Sequence, residues 1–480
     1  MMGAFRNPIR DIIMRPHFAR AVVLAAVLVA VSQSSQAQTV VVGPNINVSK
    51  RAGSESETAI VIDRSNTQRV VISSNWDATN MFHAISTNAG STWATGAVGV
   101  NACCDPWLGS DSFGNIYLSY LNATTTTIAR STNGGATFTT LTTFGTSTDH
   151  PELAVGPGNV AGTQSVWVTH RNFSGSNGIQ VTGAQSTALG TTGAFTTTQT
   201  FTGTTGANFG DIAIGPNGVV TTTYMASSGG VGPSNLPVWH DANGITTGGA
   251  TQVNNSIVTQ VGAFRPIPAQ PNRTIDTQVD LAYDFSGGAN NGRLYMLYTQ
   301  AANTTTNNTN IVIRRSNDNG ATWSAETQIN DDGGVNSQFF GRVAVDQTTG
   351  YLAAVWLDAR NAGAGNILVE LWGSVSADGG VTWLPNFKIS QGQWDGRQAN
   401  TGDPNEMGDY ISLDYHDGAF VVAWADASNA LGNNPDGTTG LDIFYARVTV
   451  APVPEPASVL LVAAAGVAVG RRLRRNRTTC

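Results

Sequence analysis

A strand–turn–strand unit recurs seven times between residues 57 and 428, and this repetition limits the fold more than any other feature of the chain. In each copy an alternating apolar strand leads into a tight turn, and a second alternating strand follows. The copies align on an Asp or Gly at the turn, here called the anchor. The anchors are Asp63, Asp111, Gly156, Gly215, Asp284, Asp346 and Asp414, at spacings of 45 to 69 residues.

The residues just before each anchor share a pattern of side-chain size. The residue three positions before the anchor is aliphatic, and the residue two positions before it is mostly small. The aliphatic set is Ile60, Leu108, Leu153, Ile212, Leu281, Val343 and Ile411, and the small set is Val61, Gly109, Ala154, Ala213, Ala282, Ala344 and Ser412. This alternation fits an innermost strand crowded around an axis, and four-stranded blades at this spacing are typical of a β-propeller.

Two strands near the chain ends lack partners within their own units. Residues 40–49 have the pattern of an outer strand without a blade, and residues 441–450 that of a third strand without a neighbour. Their pairing would close the ring and remove exposed edges. We therefore predict an all-β fold: a seven-bladed β-propeller over residues 38–450, closed by the pairing of strand 40–49 with strand 441–450, with six blades as the alternative.

Four hairpins carry the same residue order, Ser, any, Asp or Asn, any, Gly, any, Thr, then Trp or Phe. They are residues 86–93, 131–138, 316–323 and 376–383. The Asp or Asn can form an Asx-turn with its own backbone, and the Gly supplies a positive φ. We call each of these four segments a box and interpret it as a sequence that forms the tight turn of its hairpin. A metal-binding loop is the weaker alternative, because each copy offers a single carboxylate or none; no metal site or cofactor is predicted, and Ca²⁺ stays open without a specific motif.

These boxes resemble the Asp-box (BNR) repeat of sialidases and related propellers, with that family's residue order intact. The resemblance implies a propeller of the sialidase-like superfamily. Sialidases are six-bladed and use three arginines, a Tyr–Glu nucleophile pair and an acidic Asp. Their first arginine lies in a Phe/Tyr-Arg-Ile-Pro motif before the first box, whereas residues 264–268 here read Phe-Arg-Pro-Ile-Pro and lie between the fourth and fifth units. We therefore expect the fold of that superfamily in this chain, and we do not assign the catalytic residues of sialidases to any of its positions.

The charge of the chain is unevenly distributed. Nine of the 25 basic residues and two of the 32 acidic residues lie in the terminal segments, which leaves 16 basic and 30 acidic residues in positions 38–454. A body this acidic repels phosphate backbones, so we expect no nucleic-acid partner.

The N-terminal segment has the pattern of a secretory signal. Four arginines precede the apolar run 21–31, and Ser35-Gln36-Ala37 is a small-residue cleavage site. Eleven apolar residues are too few to span a bilayer, which needs roughly 20. We predict a signal peptide over residues 1–37 and therefore export.

The C-terminal segment, residues 451–480, has the complementary pattern. Pro454-Glu455-Pro456 precedes an apolar run, and a basic cluster that includes Arg471 and Arg472 follows it. This order resembles the PEP-CTERM sorting tail of envelope-bearing bacteria. The resemblance implies transient membrane insertion, an exosortase-type processing enzyme as partner, and delivery to the cell envelope, cell surface or extracellular matrix. An ordinary C-terminal membrane helix is the alternative.

The residues four positions before the anchors should meet around the channel. They are Ala59, Trp107, Glu152, Asp211, Asp280, Arg342 and Tyr410, with Glu57, Asp105, Asp149, His150, Asp276 and Asp409 nearby. A closely spaced carboxylate pair would permit glycoside hydrolysis. Glu152, Asp211, Asp280 and Arg342 are the catalytic candidates, and Trp107, His150 and Tyr410 are candidate ligand contacts.

A column of aromatic residues ends the second strands. It consists of Tyr120, His170, Tyr224, Tyr298, Trp356 and Trp424, with Arg360 just beyond. These side chains either fill the wedges between blades or bind sugar faces. We predict an exported binding or scaffold protein, possible ligands including polysaccharide; the alternative is a sialidase-type exo-glycosidase, for which Arg171, Arg342 and Arg360 would have to converge on one cavity.

The adjacent Cys103 and Cys104 leave two alternatives open. In an oxidising compartment they could form a vicinal disulfide, or they could remain two thiols. With three cysteines in the chain, no disulfide framework supports the fold.

Overall fold

The computed structural model describes residues 38–76, 80–98, 102–175, 177–195, 197–227, 229–244, 249–397 and 406–452. Within these ranges Gln38–Ala451 form one compact unit. Over the same ranges, no helix combines the length and apolar character that crossing a bilayer requires. The predicted signal peptide, Pro454, Glu455, Pro456, Arg471 and Arg472 lie outside the described residues, so both sorting assignments stay predictions.

Seven antiparallel sheets of four or five strands make up the compact unit. The strands that precede and form the first three sheets are β1 (Gln38–Val42), β2 (Ile46–Asn47), β3 (Ser56–Ile62), β4 (Val70–Asn75), β5 (Met81–Ser86), β6 (Ala94–Val98), β7 (Ala102–Ser110), β8 (Ile116–Asn122), β9 (Thr125–Ser131), β10 (Thr139–Phe144), β11 (Thr148–Pro157), β12 (Gln164–Asn172), β13 (Gly178–Ala188), β14 (Thr191–Thr192) and β15 (Thr197–Thr200). The fourth sheet and the segment after it contain β16 (Asn208–Ile214), β17 (Val220–Met225), β18 (Ser234–Asn235), β19 (Val238–Asp241), β20 (Thr251–Asn254), β21 (Val258–Thr259), β22 (Arg265–Ile267) and β23 (Gln270–Ile275). The last three sheets contain β24 (Asp280–Tyr283), β25 (Leu294–Ala301), β26 (Thr309–Ser316), β27 (Thr327–Gln328), β28 (Gln338–Val345), β29 (Leu352–Asp358), β30 (Glu370–Ser376), β31 (Phe387–Lys388), β32 (Ser412–His416), β33 (Ala419–Asp426) and β34 (Asp442–Pro452).

These sheets are the blades of a propeller. In six of them the strands follow one another along the chain from the innermost to the outermost. These blades are β3–β6, β7–β10, β11–β15, β16-β17-β19-β20, β24–β27 and β28–β31. The innermost strands contact one another in cyclic order, β3, β7, β11, β16, β24, β28 and β32, and β32 contacts β3 again. The prediction of seven blades is therefore confirmed, and the six-bladed alternative is wrong. Two short 3₁₀ turns, Pro216–Gly218 and Gly363–Gly365, are the helical elements of the described residues.

The chain ends close the ring in the predicted way. The seventh blade has the order β32-β33-β34, and both β1 and β2 pair with β34. Ile46 pairs with Tyr445 and Asn47 with Phe444 in antiparallel register. Asn47 Nδ2 also donates to Asp442 Oδ2 at 2.5 Å, and Ser49 Oγ donates to Asp442 Oδ1 at 3.1 Å. The outer strand of the last blade thus comes from the start of the chain.

The small residues two positions before the anchors face the crowded hub. Ala154, Ala213, Ala282 and Ala344 line the central channel. A Cβ atom added to Gly109 would lie 2.6 Å from a methyl group of Val155 on the next blade. The register assigned from sequence is therefore correct, since a slip by one residue would turn these positions to the other face.

Each innermost strand begins with a left-handed residue that the sequence did not reveal. The residue six positions before every anchor has a φ between 42° and 77°. The set is Glu57, Asp105, His150, Phe209, Gln278, Phe340 and Gly408. Pairing between first and second strands shifts at five of these bulges. A non-glycine residue in this region costs on the order of 1–3 kcal/mol, and such residues cluster at functional sites; six of the seven are not glycine.

The four boxes have the geometry of capped turns. Each lies between the third and fourth strands of its blade, after β5, β9, β26 and β30. In the third box, Asp318 Oδ1 accepts from the backbone N–H of Thr322 at 2.8 Å, and Ser316 Oγ accepts from that of Gly320 at 2.8 Å. The box glycines have φ values of 77° to 92°. The turn interpretation is confirmed.

Candidate functional site

The four catalytic candidates lie together at the hub. Asp211, Asp280 and Arg342 line a cavity of about 480 Å³ inside the channel, here called the channel cavity. Arg342 Nη2 lies 3.0 Å from Asp280 Oδ1, and its Nη1 lies 3.9 Å from Glu152 Oε1. Glu152 is 1% exposed. The four residues therefore lie as close together as the sequence predicted, whereas their catalytic roles stay predictions.

Burial dominates the electrostatics of this cluster. It raises the pKa of Glu152 well above its usual range, and the negative charge of Asp211 adds to the shift. Burial also raises the pKa of Asp280 to about 8, against the opposing effect of Arg342. The side-chain amide of Gln278 is oriented so that its nitrogen donates to the Asp409 carbonyl and its oxygen accepts a hydrogen bond from Arg342 Nη1 at 3.0 Å. With a pKa of about 8, Asp280 thus holds a proton at neutral pH beside a buried guanidinium.

Aromatic residues separate the channel cavity from a second cavity. Trp107 lines the channel cavity, and the Arg342 guanidinium lies 4.4 Å from its ring centroid. Tyr410 packs against Trp107 at 5.3 Å and against His150 at 5.7 Å. His150 lines the second cavity. These rings form a partition across the channel.

The second cavity lies where the innermost strands begin, and we call it the mouth cavity. Its volume is about 320 Å³. The lining residues are Asp105, Asp149, His150, Phe173, Asn208, Phe209, Ala263, Phe264, Arg273, Thr274, Ile275 and Asp409. Three of its lining residues, Asp105, His150 and Phe209, are bulge residues on different blades, so the left-handed backbone positions the lining.

Hydrogen bonds between blades hold the acidic side of the mouth cavity. Asp105 Oδ2 accepts from the backbone N–H of His150 at 3.1 Å, and Asn75 Oδ1 accepts from the N–H of Asp105 at 3.1 Å. Asn75 Nδ2 also donates to Glu57. Each bond joins neighbouring blades or strands, and the carboxyl groups are therefore preorganised.

One cation enters this acidic region from the β22–β23 hairpin. Arg273 Nε donates to Asp409 Oδ1 at 2.8 Å, and Arg273 Nη2 lies 3.3 Å from Glu57 Oε1. The Arg273 side chain is 35% exposed. Sequence reasoning missed Arg273 as a site residue; the signal was the length of the loop over residues 262–277.

The carboxyl groups around the mouth cavity have raised pKa values. Burial raises the pKa of Glu57 to about 7, and the charge of Asp409 adds to it. Burial and the same charge raise the pKa of Asp276 to about 8. Burial, then the charges of Glu57 and Asp149, raise the pKa of Asp105 well above its usual range. The region is therefore a concentrated negative field that retains protons near neutral pH.

Several polar atoms of the mouth cavity lack a hydrogen bond. Neither ring nitrogen of His150, nor Asn208 Oδ1, nor Thr274 Oγ1 makes a hydrogen bond to any described residue, although His150 Nδ1 lies 3.5 Å from Glu152 Oε1. His150 and Asn208 are each 5% exposed. Burial lowers the pKa of His150, so its ring is neutral at neutral pH. Because buried polar atoms are normally hydrogen-bonded, these atoms are candidate ligand contacts.

The aromatic column from the second strands lies between blades. Tyr120, His170, Tyr224, Tyr298, Trp356 and Trp424 are each at most 5% exposed and line neither cavity. Trp356 Nε1 donates to Asp358 at 2.7 Å, and Trp424 Nε1 donates to Asp426 at 3.0 Å. Their positions match the alternative in which these side chains fill the wedges between blades. Side chains at these positions of the second strands face the neighbouring blade rather than the channel. Their ligand-binding role stays a prediction.

The three arginines of the glycosidase alternative do not converge. Arg171 donates to the carbonyl groups of Thr204 and Thr205. Arg360 pairs with Asp358 at 2.8 Å and stacks over Trp372. Arg342 alone of the three lies at the hub, so the expected condition for a sialidase-like site is not met in the described ranges.

A disulfide joins Cys103 and Cys104, which answers the alternative that the sequence left open. The pair directly precedes Asp105, at the start of β7, and the Cys103 sulfur lies 3.6 Å from the Leu121 carbonyl oxygen. The bonded ring therefore restricts the backbone immediately before a carboxyl group of the mouth cavity. Across the part of the chain that the structure describes, no group of three or more His, Cys, Asp or Glu residues is arranged to hold a metal ion.

The raised pKa values predict that the protein loses stability as pH rises from 6.5 to 8. Glu57, Asp276 and Asp280 hold protons in the folded state up to about pH 7 or 8, whereas their ordinary pKa values are 4.5, 3.8 and 3.8. The folded state therefore binds more protons, and each extra proton lowers the free energy of unfolding by ~1.4 kcal/mol per pH unit. The buried histidines oppose this only near pH 6.5, since their ordinary pKa of about 6.5 leaves them mostly neutral in the unfolded state above pH 7. Urea unfolding at four pH values measures the slope, and Asp276→Asn should flatten it; a rising or flat profile in the unaltered protein contradicts the prediction.

No family model matches this chain, and no curated protein matches it. Among solved structures, it is similar to the α-L-arabinofuranosidase of Fusarium graminearum in complex with arabinobiose, with 13% identity over 70% of this chain and 98% of that one and a TM-score of 0.42. It is also similar to a Dyadobacter fermentans protein of unknown function, with 10% identity, coverages of 86% and 99%, and a TM-score of 0.47. A polysaccharide lyase, an ulvan lyase bound to a glucuronic acid–sulfated rhamnose disaccharide, has 10% identity, coverages of 83% and 97%, and a TM-score of 0.47. At these identities and scores, the activities named for those structures are properties of those proteins alone.

Proposed function

We propose that the protein binds the end of a polysaccharide chain in the mouth cavity and acts as a binding or scaffold protein. The observation that carries this proposal is a cavity that combines unpartnered buried polar atoms with aromatic walls. Its volume of about 320 Å³ is at the lower end of the range for small-molecule sites, ≈ 300–1,000 Å³. That volume suits the end of a saccharide chain rather than a longer stretch of it.

Two sets of contacts in the mouth cavity suit a sugar. The carboxylates of Asp149 and Asp409 and the amide oxygen of Asn208 can accept hydrogen bonds from hydroxyl groups, and Arg273 can donate. The Phe209 and Phe264 rings lie 6.3 Å apart and offer apolar surfaces to the C–H face of a sugar. Phe264 is 51% exposed and lines the cavity, so a bound sugar can cover its ring.

Isothermal titration calorimetry with a panel of oligosaccharides tests the proposal. Phe264→Ala should weaken binding roughly 5- to 10-fold, as expected for the loss of one aromatic contact. Val335→Ala is the matched control, because Val335 is 75% exposed and lines neither cavity. No binding by any saccharide, or equal losses in both variants, contradicts the proposal.

Glycoside hydrolysis at the same cavity is the second candidate function. Burial and the negative charge of Glu57 raise the pKa of Asp105 well above its usual range, so Asp105 is the candidate acid and Glu57 the candidate carboxylate. Glycosidases use a protonated acid and an ionised carboxylate roughly 5–10 Å apart. Release of reducing ends from a bound oligosaccharide, abolished by Asp105→Asn with binding retained, would establish this candidate over the scaffold function.

We also propose that the protein acts outside the cytoplasm, at the cell envelope, cell surface or matrix. The signal and sorting patterns of residues 1–37 and 453–475 support this, as does the Cys103–Cys104 disulfide, which persists in oxidising compartments. An exosortase-type enzyme would remove the tail after its transient insertion in the membrane. The mass of the mature protein checks both ends; a mass equal to that of the full chain contradicts the proposal.

A further inference from the structure

We infer that the saccharide recognised in the mouth cavity carries a free amine, so that its terminal residue is a cationic amino sugar. This inference rests on the proposed function and specifies the chemical class of its ligand. It follows from the balance of charges around the cavity, from the acceptor atoms that lack a donor, and from the aromatic walls.

The mouth cavity has a large excess of acidic groups. Asp105, Asp149 and Asp409 line it, and Glu57 and Asp276 lie directly behind. Arg273 is the cation of this lining, and it is engaged by Asp409 and Glu57. Arg342 lies beyond the partition, among Glu152, Asp211 and Asp280. An ammonium group would offset the charge of the ionised carboxylates and replace protons on the others, which a neutral sugar cannot do.

The unpartnered atoms point to a ligand that donates hydrogen bonds. Asn208 Nδ2 donates to Asp149 Oδ2 at 2.9 Å, and this bond orients the amide so that Oδ1 is left as a buried acceptor without a donor. A neutral His150 ring also presents one nitrogen lone pair. An ammonium group supplies three donors, and hydrogen bonds from a charged donor are roughly twice as strong as neutral ones.

The aromatic walls suit the same ligand. The Phe209 ring makes T-shaped contacts with His150 at 5.2 Å and with Phe264 at 6.3 Å. A cation close to an aromatic face gains about 0.5–2 kcal/mol, and the C–H face of the sugar ring can cover the other phenyl group. An amino sugar therefore satisfies the acidic, acceptor and apolar parts of the lining at once.

Proton release distinguishes a cationic ligand from a neutral one. Glu57 and Asp276, with pKa values raised to about 7 and about 8, hold protons at pH 6. A bound ammonium group favours their ionised forms, so its binding must release protons into the solvent. At that pH the amine is fully protonated before it binds, and the ligand takes up no proton of its own.

The experiment compares matched sugars by calorimetry on the full chain at pH 6, in two buffers that differ in ionisation enthalpy. The ligands are glucosamine and galactosamine oligomers, their N-acetylated forms and the parent glucose and galactose oligomers. Spermidine and trilysine supply ammonium groups without a sugar. We expect one amino-sugar series to bind at least 10-fold more tightly than its N-acetylated and parent forms, with proton release that only the amino sugar causes.

Asp149→Asn sharpens the comparison. Asparagine at this position retains a carbonyl oxygen for Asn208 Nδ2 and removes only the charge. We expect it to weaken amino-sugar binding about 10-fold and to weaken neutral-sugar binding only about 2-fold, because an amide oxygen still accepts from hydroxyl groups, although less strongly than a carboxylate.

The outcomes separate this inference from the function on which it rests. Neutral or N-acetylated sugars that bind as tightly as amino sugars overturn the inference and leave saccharide binding intact. Spermidine or trilysine binding more tightly than every amino sugar overturns it as well, because the cation alone would then be recognised. Absence of binding by every ligand overturns both proposals.

Discussion

Replacing Arg342 with methionine should lower the free energy of unfolding by ~3–5 kcal/mol, the usual cost of removing one partner from a buried ion pair. Arg342 is 7% exposed and lies 3.0 Å from Asp280. The guanidinium opposes the rise in the pKa values of Asp280 and Glu152, so without it both groups hold protons to higher pH and the ionised forms that pair with Arg342 are lost. The loss should therefore be larger at pH 8 than at pH 5. Urea unfolding at both values measures it.

Two variants control this prediction. Arg397 pairs with Asp395 in an exposed loop, and Arg397→Met should cost less than about 1 kcal/mol. Combining Arg342→Met with Asp280→Asn should recover part of the stability, because an amide leaves no unpaired charge and still accepts from the Val343 N–H, now at 2.5 Å from Asp280 Oδ2. An Arg342→Met variant as stable as the unaltered protein contradicts this account. A double variant with a lower free energy of unfolding than Arg342→Met alone contradicts it as well.

Deleting Gln38–Asn47 should cost more than about 4 kcal/mol and cause self-association, since losses of that size follow when a buried network is broken. The deletion removes β1 and β2, exposes the full edge of β34, and takes away the Asn47 donor of the buried Asp442. An unpaired strand edge is a template for pairing with another chain. Urea unfolding and sedimentation velocity measure the two effects.

The control for this deletion restores the strand in trans. A chain beginning at Gln38 is the reference, and a synthetic peptide of residues 38–49 is added to the shortened chain. Because an extended peptide can add to a free sheet edge, it should restore the monomer and part of the stability. A shortened chain that remains monomeric and as stable as the reference shows that the outer strand contributes little to closure.

The hub could be predicted from sequence because its signals are local. The turn anchors, such as Asp346, mark the end of each innermost strand, and the period of two along a strand determines which side chains face inward. The residues four positions before the anchors were therefore expected to meet at the channel. Four of them, Trp107, Asp211, Asp280 and Arg342, line one cavity. Pairing of the chain ends followed from two strands that had no neighbour.

The bulge ring could not be predicted, because its residues are the wrong types for their conformation. Sequence rules assign a positive φ to Gly or Asn, whereas Glu57, His150, Phe209 and Phe340 adopt it here. Seven copies in a closed ring impose the bend on each strand, and a single strand read alone carries no sign of it. The sequence placed Asp105, Asp149, His150 and Asp409 near the channel, but it did not reveal that they line a cavity separate from the one that holds the catalytic candidates.

Arg273 was missed for a different reason. Its hairpin docks against the loop before β32, where Gln270 Nε2 donates to the Gly408 carbonyl at 2.7 Å, 138 residues away in sequence. The length of the 262–277 loop indicated an insertion, but no local pattern states where an insertion docks. Long-range placement of this kind comes from tertiary contacts rather than from propensity.

The pairing of β2 with β34 also sets an order of events during synthesis. Asn47 leaves the ribosome 395 residues before Asp442, its hydrogen-bond partner. At about 5–20 residues per second, the interval is roughly 20–80 s. For that time the first strand has no permanent neighbour, and the last blade cannot mature until the polypeptide is almost finished. Nascent chains of this protein should therefore depend on a holding chaperone until translation ends.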